Sequence, residues 1–241
     1  MGSLRAWSRA TAGAVVMLLL SGASALAQDQ GNRPPGTHQD NTPGSEWIKR
    51  LERADRIPGL KTREVIESLK LKPGDVIADI GAGTGAYTLE FAKAVGPNGK
   101  AFAVDIWPEL MTYIGEKAKK AGITNLQTIL AKLDNPLLPQ NQVDVVFFHD
   151  VFHNTNDRVA YLKTLTASLK PGARIAIIEQ EFDDPIAKKW DKDEDRITNE
   201  QLKGWMATVG FHQVAEFDIF KGKNNPPGTG MPERWFVVYS K

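Results

Sequence analysis

No cysteine occurs anywhere in the 241 residues. That absence excludes disulfide staples, thiol nucleophiles and a lipid anchor carried by a cleavage-site cysteine. An excess of charge of one sign is lacking too, since 30 basic residues face 29 acidic ones for a formal charge of +1. Such balance offers no argument for a nucleic-acid or membrane-surface partner, and neither is expected. No internal repeat is visible, and the long apolar run at 12–20 is too short for a comfortable membrane span of ~20 residues. What is present is a hydrophobic fraction of 41%, enough for a core, in a length that suits one α/β domain with appendages. Oligomeric state is not legible at this level.

The apolar run belongs to a three-part layout. "MGSLRAWSRATAGAVVMLLLSGASALAQ" places Arg5 and Arg9 ahead of it and Ala25-Leu26-Ala27 behind it. A basic start, apolar middle and A-x-A end describe a secretory leader over 1–27, cut before Gln28, so a periplasmic or secreted destination is expected. An uncleaved anchor is the alternative. Residues 28–45, "QDQGNRPPGTHQDNTPGS", are rich in Pro, Gly, Asn and Asp. They cannot bury enough apolar surface to offset their ordering entropy, which predicts a flexible linker ahead of a folded domain over 46–241.

Within that domain two helical pieces, broken near Pro58-Gly59, come first. Short β-rich runs follow at 76–80, 101–106, 126–130, 144–148 and 174–179, with helical patterns at 85–95, 108–121 and 157–169 between them. Strand and helix in alternation imply βαβ units and a parallel sheet. The apolar runs are continuous, as expected of strands covered on both faces. A helix at 199–209 has Thr198 as its N-cap with Gln201 three residues on, and Gly210 to end it. "HQVAEFDIF" and "RWFVVYSK" complete seven strands.

"VIADIGAGTGAYTLEFAKAVG", 76–96, carries the strongest chemical signal. Gly81, Gly83 and Gly85 leave the first strand and open a helix, so the backbone can approach a ligand where a Cβ would stand in the way. The carboxyl end of a strand at the switch point is where doubly wound sheets bind ligands. The spacing alone fits two cofactors, because Gly81-x-Gly83-x-x-Ala86 also satisfies the looser dinucleotide fingerprint. Asp105, ending the second strand, suits the ribose of either. Asp79 discriminates: a pyrophosphate would face a carboxylate, whereas a phosphate-free sulfonium and ammonium would be welcome. The plainer role for Asp79 is a capping or turn carboxylate. Tyr113 and Lys117 have the spacing of a reductase dyad but lie in the wrong helix, and are read as helix surface.

Four motifs in order, "VIADIGAGTGAYT", "AFAVDI", "NQVDVVFFHDVFHN" and "LKPGARIAIIE", resemble those of class I S-adenosylmethionine-dependent methyltransferases. The likeness spans 46 to the end and is nearest the UbiE-like bacterial group that acts on small molecules. It implies a Rossmann-like α/β fold: a seven-stranded, mostly parallel sheet with an antiparallel last strand and helices on both faces, in three layers. It also implies S-adenosylmethionine as cofactor and a small-molecule acceptor. Asp79, Gly81, Gly83 and Gly85 would line the methionine part, Asp105 the ribose and Ile106 the adenine. Lys132 stands where relatives hold an acid for the adenine amine, and Asp134 is the nearest substitute. His149, Asp150 and His153 would stand over the reacting sulfur, with His153 or Asp150 as base for a protonated nucleophile. Relatives often read Tyr and His where this chain has Phe152 and Asn154. A binding module that kept the nucleoside pocket without transferring methyl groups is the alternative, and a nicotinamide-dependent reductase a third.

Other residues have plainer readings. His149 and His153 at a strand end form a satisfied polar pair in preference to a metal site. Asp191, Asp193, Glu194 and Asp195 form a solvated run on a connection that can act as a lid. Trp190 and Trp205 are candidate substrate walls, with aromatic core the usual explanation.

Overall fold

The structure, a computed structural model, describes residues 44–190, 196–225 and 231–241. The expected leader, the linker up to residue 43, the Trp190 side chain and the acidic run Asp191, Asp193, Glu194 and Asp195 lie outside the described residues.

Seven strands form one sheet: β1 Val76–Ile80, β2 Lys100–Asp105, β3 Leu126–Leu130, β4 Val143–His149, β5 Leu169–Gln180, β6 His212–Phe217 and β7 Arg234–Ser240. Their spatial order is β3-β2-β1-β4-β5-β7-β6. The first five pair in parallel, while β7 lies antiparallel between β5 and β6. The chain therefore reverses direction across the sheet at β1 and β4, which places the switch point beside the glycine turn.

Neighbouring strand residues send side chains to opposite faces, and here both faces are dry. Ile77, Val145 and Ala176 pack under α3 (Thr88–Val95) through Phe91, Ala92 and Val95. Their neighbours Ala78, Val146 and Ile175 pack under α5 (Arg158–Thr166) and α7 (Asn199–Thr208) through Leu162, Leu165, Leu202 and Met206. Helix α4 (Pro108–Lys120) covers Ala103 on the α3 side through Leu110, Met111 and Ile114. Three layers result, as the sequence led us to expect.

The caps follow local chemistry. Thr198 and Gln201 form the expected reciprocal box at the start of α7. Asp157 accepts from the Ala160 N–H to start α5. Helix α5 stops at Thr166, short of the expected 169, and the chain enters β5 at Leu169. Pro171 cannot continue a helix, and Gly172 takes a φ of 76°. Strand β6 ends at Phe217, three residues early, and Phe220 turns into the core. At the other end α1 (Gly44–Leu51) begins two residues before the expected start of the domain, α2 spans Thr62–Leu69, and a short α6 spans Ala187–Trp190 after β5. No helix among the described residues is long and apolar enough to cross a membrane.

Candidate functional site

Gly81, Gly83 and Gly85 hold φ values of 70°, 56° and 76°, where side-chain-bearing residues are strained. The turn is pinned by Gly81 and Ala82 N–H donating to the Val104 carbonyl at 2.8 and 3.1 Å. The expectation that a Cβ would fill ligand space needs correction. A Cβ on Gly81 would run into Val151, one on Gly83 would lie 2.8 Å from Leu51, and one on Gly85 3.0 Å from Ile114. The glycines are needed first for backbone conformation and protein packing. Leu51 comes from α1, whose Trp47 and Ile48 pack onto Ala82 and α4, so an N-terminal strap lies across the turn. Glu52 fastens it to Lys117 at 2.8 Å, and Lys117 also donates to the Thr84 carbonyl at 3.3 Å. Lys117, read from sequence as helix surface, instead ties the strap to the turn.

Asp79 is 3% exposed and lies beneath the turn, accepting a hydrogen bond from the Thr88 hydroxyl at the start of α3. Burial, with Asp105 nearby, pushes its carboxyl up to about 7 against the pull of Thr88. The expectation that its charge faces an open crevice is corrected accordingly. It holds the helix start against β1, the plainer of its two roles, and is only about half ionised near neutrality. Asp105 also serves the backbone. Its Oδ2 accepts from Gly83 N–H at 2.9 Å and its Oδ1 from Ile106 N–H at 2.7 Å. Burial raises its pKa, opposed by these backbone bonds. Ile106 is half-buried beside it. With Asp79 turned inward and Asp105 bonded to the backbone, the turn admits either a cationic nucleoside or a dinucleotide.

At the carboxyl end of β4 the predicted residues come together. His149 is buried, its ring 5.0 Å from that of Tyr87 and 6.2 Å from that of Phe220. Burial pushes it down to about 3, so it stays neutral. Its Nδ1 lies 3.8 Å from Asp150 Oδ2, and its buried Nε2 has no hydrogen-bond partner among the described residues. Asp150 has a φ of 52° and accepts from Arg234 Nε at 2.9 Å and Nη2 at 2.6 Å. Burial alone would raise Asp150, but the Arg234 guanidinium outweighs it and holds the carboxyl well below the usual range. A carboxylate so held is a poor proton acceptor, which removes Asp150 as the base. His153 lies beyond, its Nδ1 2.7 Å from Glu179 Oε2, while Glu179 Oε1 accepts the Val151 and His153 N–H groups at 3.1 Å. Glu179 and Arg234 were missed in the sequence. Each sits in an apolar strand pattern, at the carboxyl end of β5 and the start of β7, where a lone buried charge was the available signal.

Other expected residues are placed elsewhere. Asp134 is exposed in a two-residue turn bridged by Lys132 and Asn135, just after Ala131, whose N–H donates to the Asp105 carbonyl at 2.9 Å. Trp205 is half-buried, its ring 6.4 Å from that of Phe152, with the Arg158 guanidinium 4.8 Å over it. Groups of three or more metal-ligating side chains are absent among the described residues. Hollows of about 340 and 310 Å³ flank α4, the first lined by Lys93, Lys117 and Lys120. Neither is lined by Gly81, Gly83 or Gly85, and the strap covers the turn itself.

The comparisons decide between the cofactors that the turn allows. A family model described as a methyltransferase domain matches residues 71–223. The ubiquinone/menaquinone biosynthesis C-methyltransferase UbiE of Vibrio cholerae is 25% identical over 189 residues, covering 66% of this chain and 73% of that protein. The corresponding enzyme of Ectopseudomonas mendocina is 31% identical over 118 residues, covering 48% of this chain and 46% of that protein. A solved S-adenosylmethionine-dependent methyltransferase from Aquifex aeolicus superposes with a TM-score of 0.70 at 25% identity, covering 83% of this chain and 98% of that one. The family model spans more than half of the sequence, and the chain belongs to the class I S-adenosylmethionine-dependent methyltransferases.

Proposed function

We propose that this methyltransferase is exported and that it methylates a small molecule whose nucleophile arrives protonated, with His153 as the base. The observation that carries the reading is the buried His153–Glu179 couple at the carboxyl edge of β4 and β5. When bound, S-adenosylmethionine supplies a methyl carbon activated by a sulfonium. The chain's own work is alignment and proton handling. The glycine turn and Asp105 offer the cradle for the nucleoside, and the strap through Leu51 and Glu52 excludes water from it. Glu179 accepts the Nδ1–H of His153, which assigns the lone pair to Nε2 and stabilises the imidazolium once the acceptor's proton has moved there. Asp150 and Arg234 hold the β4 end in place.

The small-molecule reading is supported by the balanced charge of the chain and by UbiE relatives named for quinone biosynthesis. Export is supported by the basic, apolar and A-x-A layout of residues 1–27. Both are tested together by expressing the full chain and supplying the exported fraction with methyl-labelled S-adenosylmethionine and a small-molecule extract. We expect a protein starting at Gln28 in that fraction and label in low-mass products. Protein retained inside the cell with its Met1, or label found only in macromolecules, would contradict the reading.

A further inference from the structure

The two edges of the sheet are built differently. At one edge β6 is guarded: its register with β7 breaks at Val214, and Glu216 is exposed along it. Bulges and charges of this kind keep an edge from pairing with another chain. The opposite edge, β3, has neither. From Asn125 to Ala131 the sequence "NLQTILA" holds no charge, proline or glycine, and the register with β2 is unbroken. The Asn125 carbonyl accepts from Ala101 N–H, and Ala131 N–H donates to the Asp105 carbonyl, both toward β2. Alternation along the strand then turns the N–H and C=O groups of Leu126, Thr128 and Leu130 outward. No described strand lies beyond them.

The same edge carries a knob and a hole. Leu130 is 50% exposed, unusual for a leucine inside a strand. Between α4 and the edge is the hollow of about 310 Å³, lined among others by Gly115, Ala118, Gly122, Leu126 and Thr128, with Lys119 its one charged residue. A Cβ on Gly115 or Gly122 would meet nothing within 4 Å, so the helix leaves this space open. Leu126, Thr128 and Leu130 share the α4 face, since strand side chains alternate. A two-fold axis normal to the sheet at Thr128 brings the edge against itself, Thr128 opposite Thr128 and Leu130 opposite the partner's Leu126. Directly opposed residues of an antiparallel pair project to one face, so each Leu130 enters the other copy's hollow. The pairing forms about six main-chain hydrogen bonds from the outward groups. We propose that β3 is a self-association edge, through which two copies of this chain join antiparallel with Leu130 of each seated beside Leu126 of the other. A foreign strand could take the hydrogen bonds, but the Leu126–Leu130 spacing about Thr128 matches a second copy.

The test uses the full chain, whose lack of cysteine lets a single thiol report the contact. Sedimentation equilibrium over about 1–100 μM should show monomer and dimer in exchange, as suits an interface at the small end of the stable range. Leu130→Lys should weaken the dimer at least about tenfold with the circular dichroism unchanged, because lysine on an edge opposes pairing and residue 130 is half exposed. Thr128→Cys, on the axis, should cross-link into a dimer under mild oxidation. Val214→Cys, on the guarded edge, should not. A wild type that stays monomeric throughout overturns the proposal. So does a dimer that Leu130→Lys leaves intact, or cross-linking by Val214→Cys in place of Thr128→Cys, since the contact would then lie elsewhere.

Discussion

Asp150→Ala is expected to destabilise the fold by about 3–5 kcal/mol, the usual result of leaving a buried charge without its partner. Arg234 is fully buried, and of the Asp150 carboxylate only 18% is exposed. Removing the acid leaves the guanidinium with the Pro232 carbonyl at 3.1 Å as its remaining hydrogen-bond acceptor among the described contacts. The backbone adds to the loss, because residue 150 has a φ of 52°, which Asp and Asn tolerate better than Ala. Asp150→Asn should therefore be milder in backbone strain but still lose the charge pairing. The double variant Asp150→Ala with Arg234→Met should recover much of the stability, because it removes both charges together. Urea unfolding of the wild type, Asp150→Ala, Arg234→Met and the double variant measures the coupling. Simple additivity, or a single-variant loss below about 1 kcal/mol, would show that the pair is a surface contact.

His153→Ala is expected to lower the turnover of an identified acceptor about a hundred- to ten-thousandfold, the span of a lost general base. Affinity for S-adenosylhomocysteine should not change, because the imidazole is fixed by Glu179 on β5 and not by the glycine turn. Glu179→Gln is the finer test. Gln keeps the shape and an acceptor oxygen for Nδ1–H but cannot stabilise an imidazolium, so the acid limb of the pH–rate profile should move to lower pH and the plateau rate should fall, with KM little changed. That direction has a simple cause: a carboxylate beside His153 favours its charged form, and its loss disfavours it, lowering the histidine's pKa and with it the driving force for proton removal. An acid limb that stays in place with an unchanged plateau rate would show that Glu179 does not act through His153. Unchanged kcat in His153→Ala would remove the residue from the mechanism.

The sheet was legible because buried parallel strands write themselves as unbroken apolar runs, and the cap of α7 because Thr198 and Gln201 are local partners. Local chemistry also located the glycine turn. What it could not give was where side chains point. Asp79 was assigned to an open crevice from its place two residues before Gly81, yet strand alternation turns it toward Thr88. Asp150 was offered as a base because nothing local reveals Arg234, 84 residues later, across two strand pairings. Glu179 was hidden in the same way, inside "ARIAIIEQ", although its contact with His153 is what gives that histidine its orientation. Lys117 looked like helix surface because Glu52 lies 65 residues earlier. For Asp150 and Glu179 the missing term is a long-range pairing that buries a charge, and a charge in an apolar strand pattern is the trace it leaves.

The central claim is that the turn at Gly81–Gly85, with Asp105 beside it, receives a phosphate-free nucleoside. Calorimetric titration of the full chain with S-adenosylmethionine, S-adenosylhomocysteine and NADH tests it most directly, with Asp105→Ala as the companion. The account predicts binding of the first two, no competition from NADH, and a loss of about 1–3 kcal/mol in the variant from the missing ribose contacts. Tight NADH binding with neither nucleoside bound, or an unchanged dissociation constant in Asp105→Ala, would contradict it.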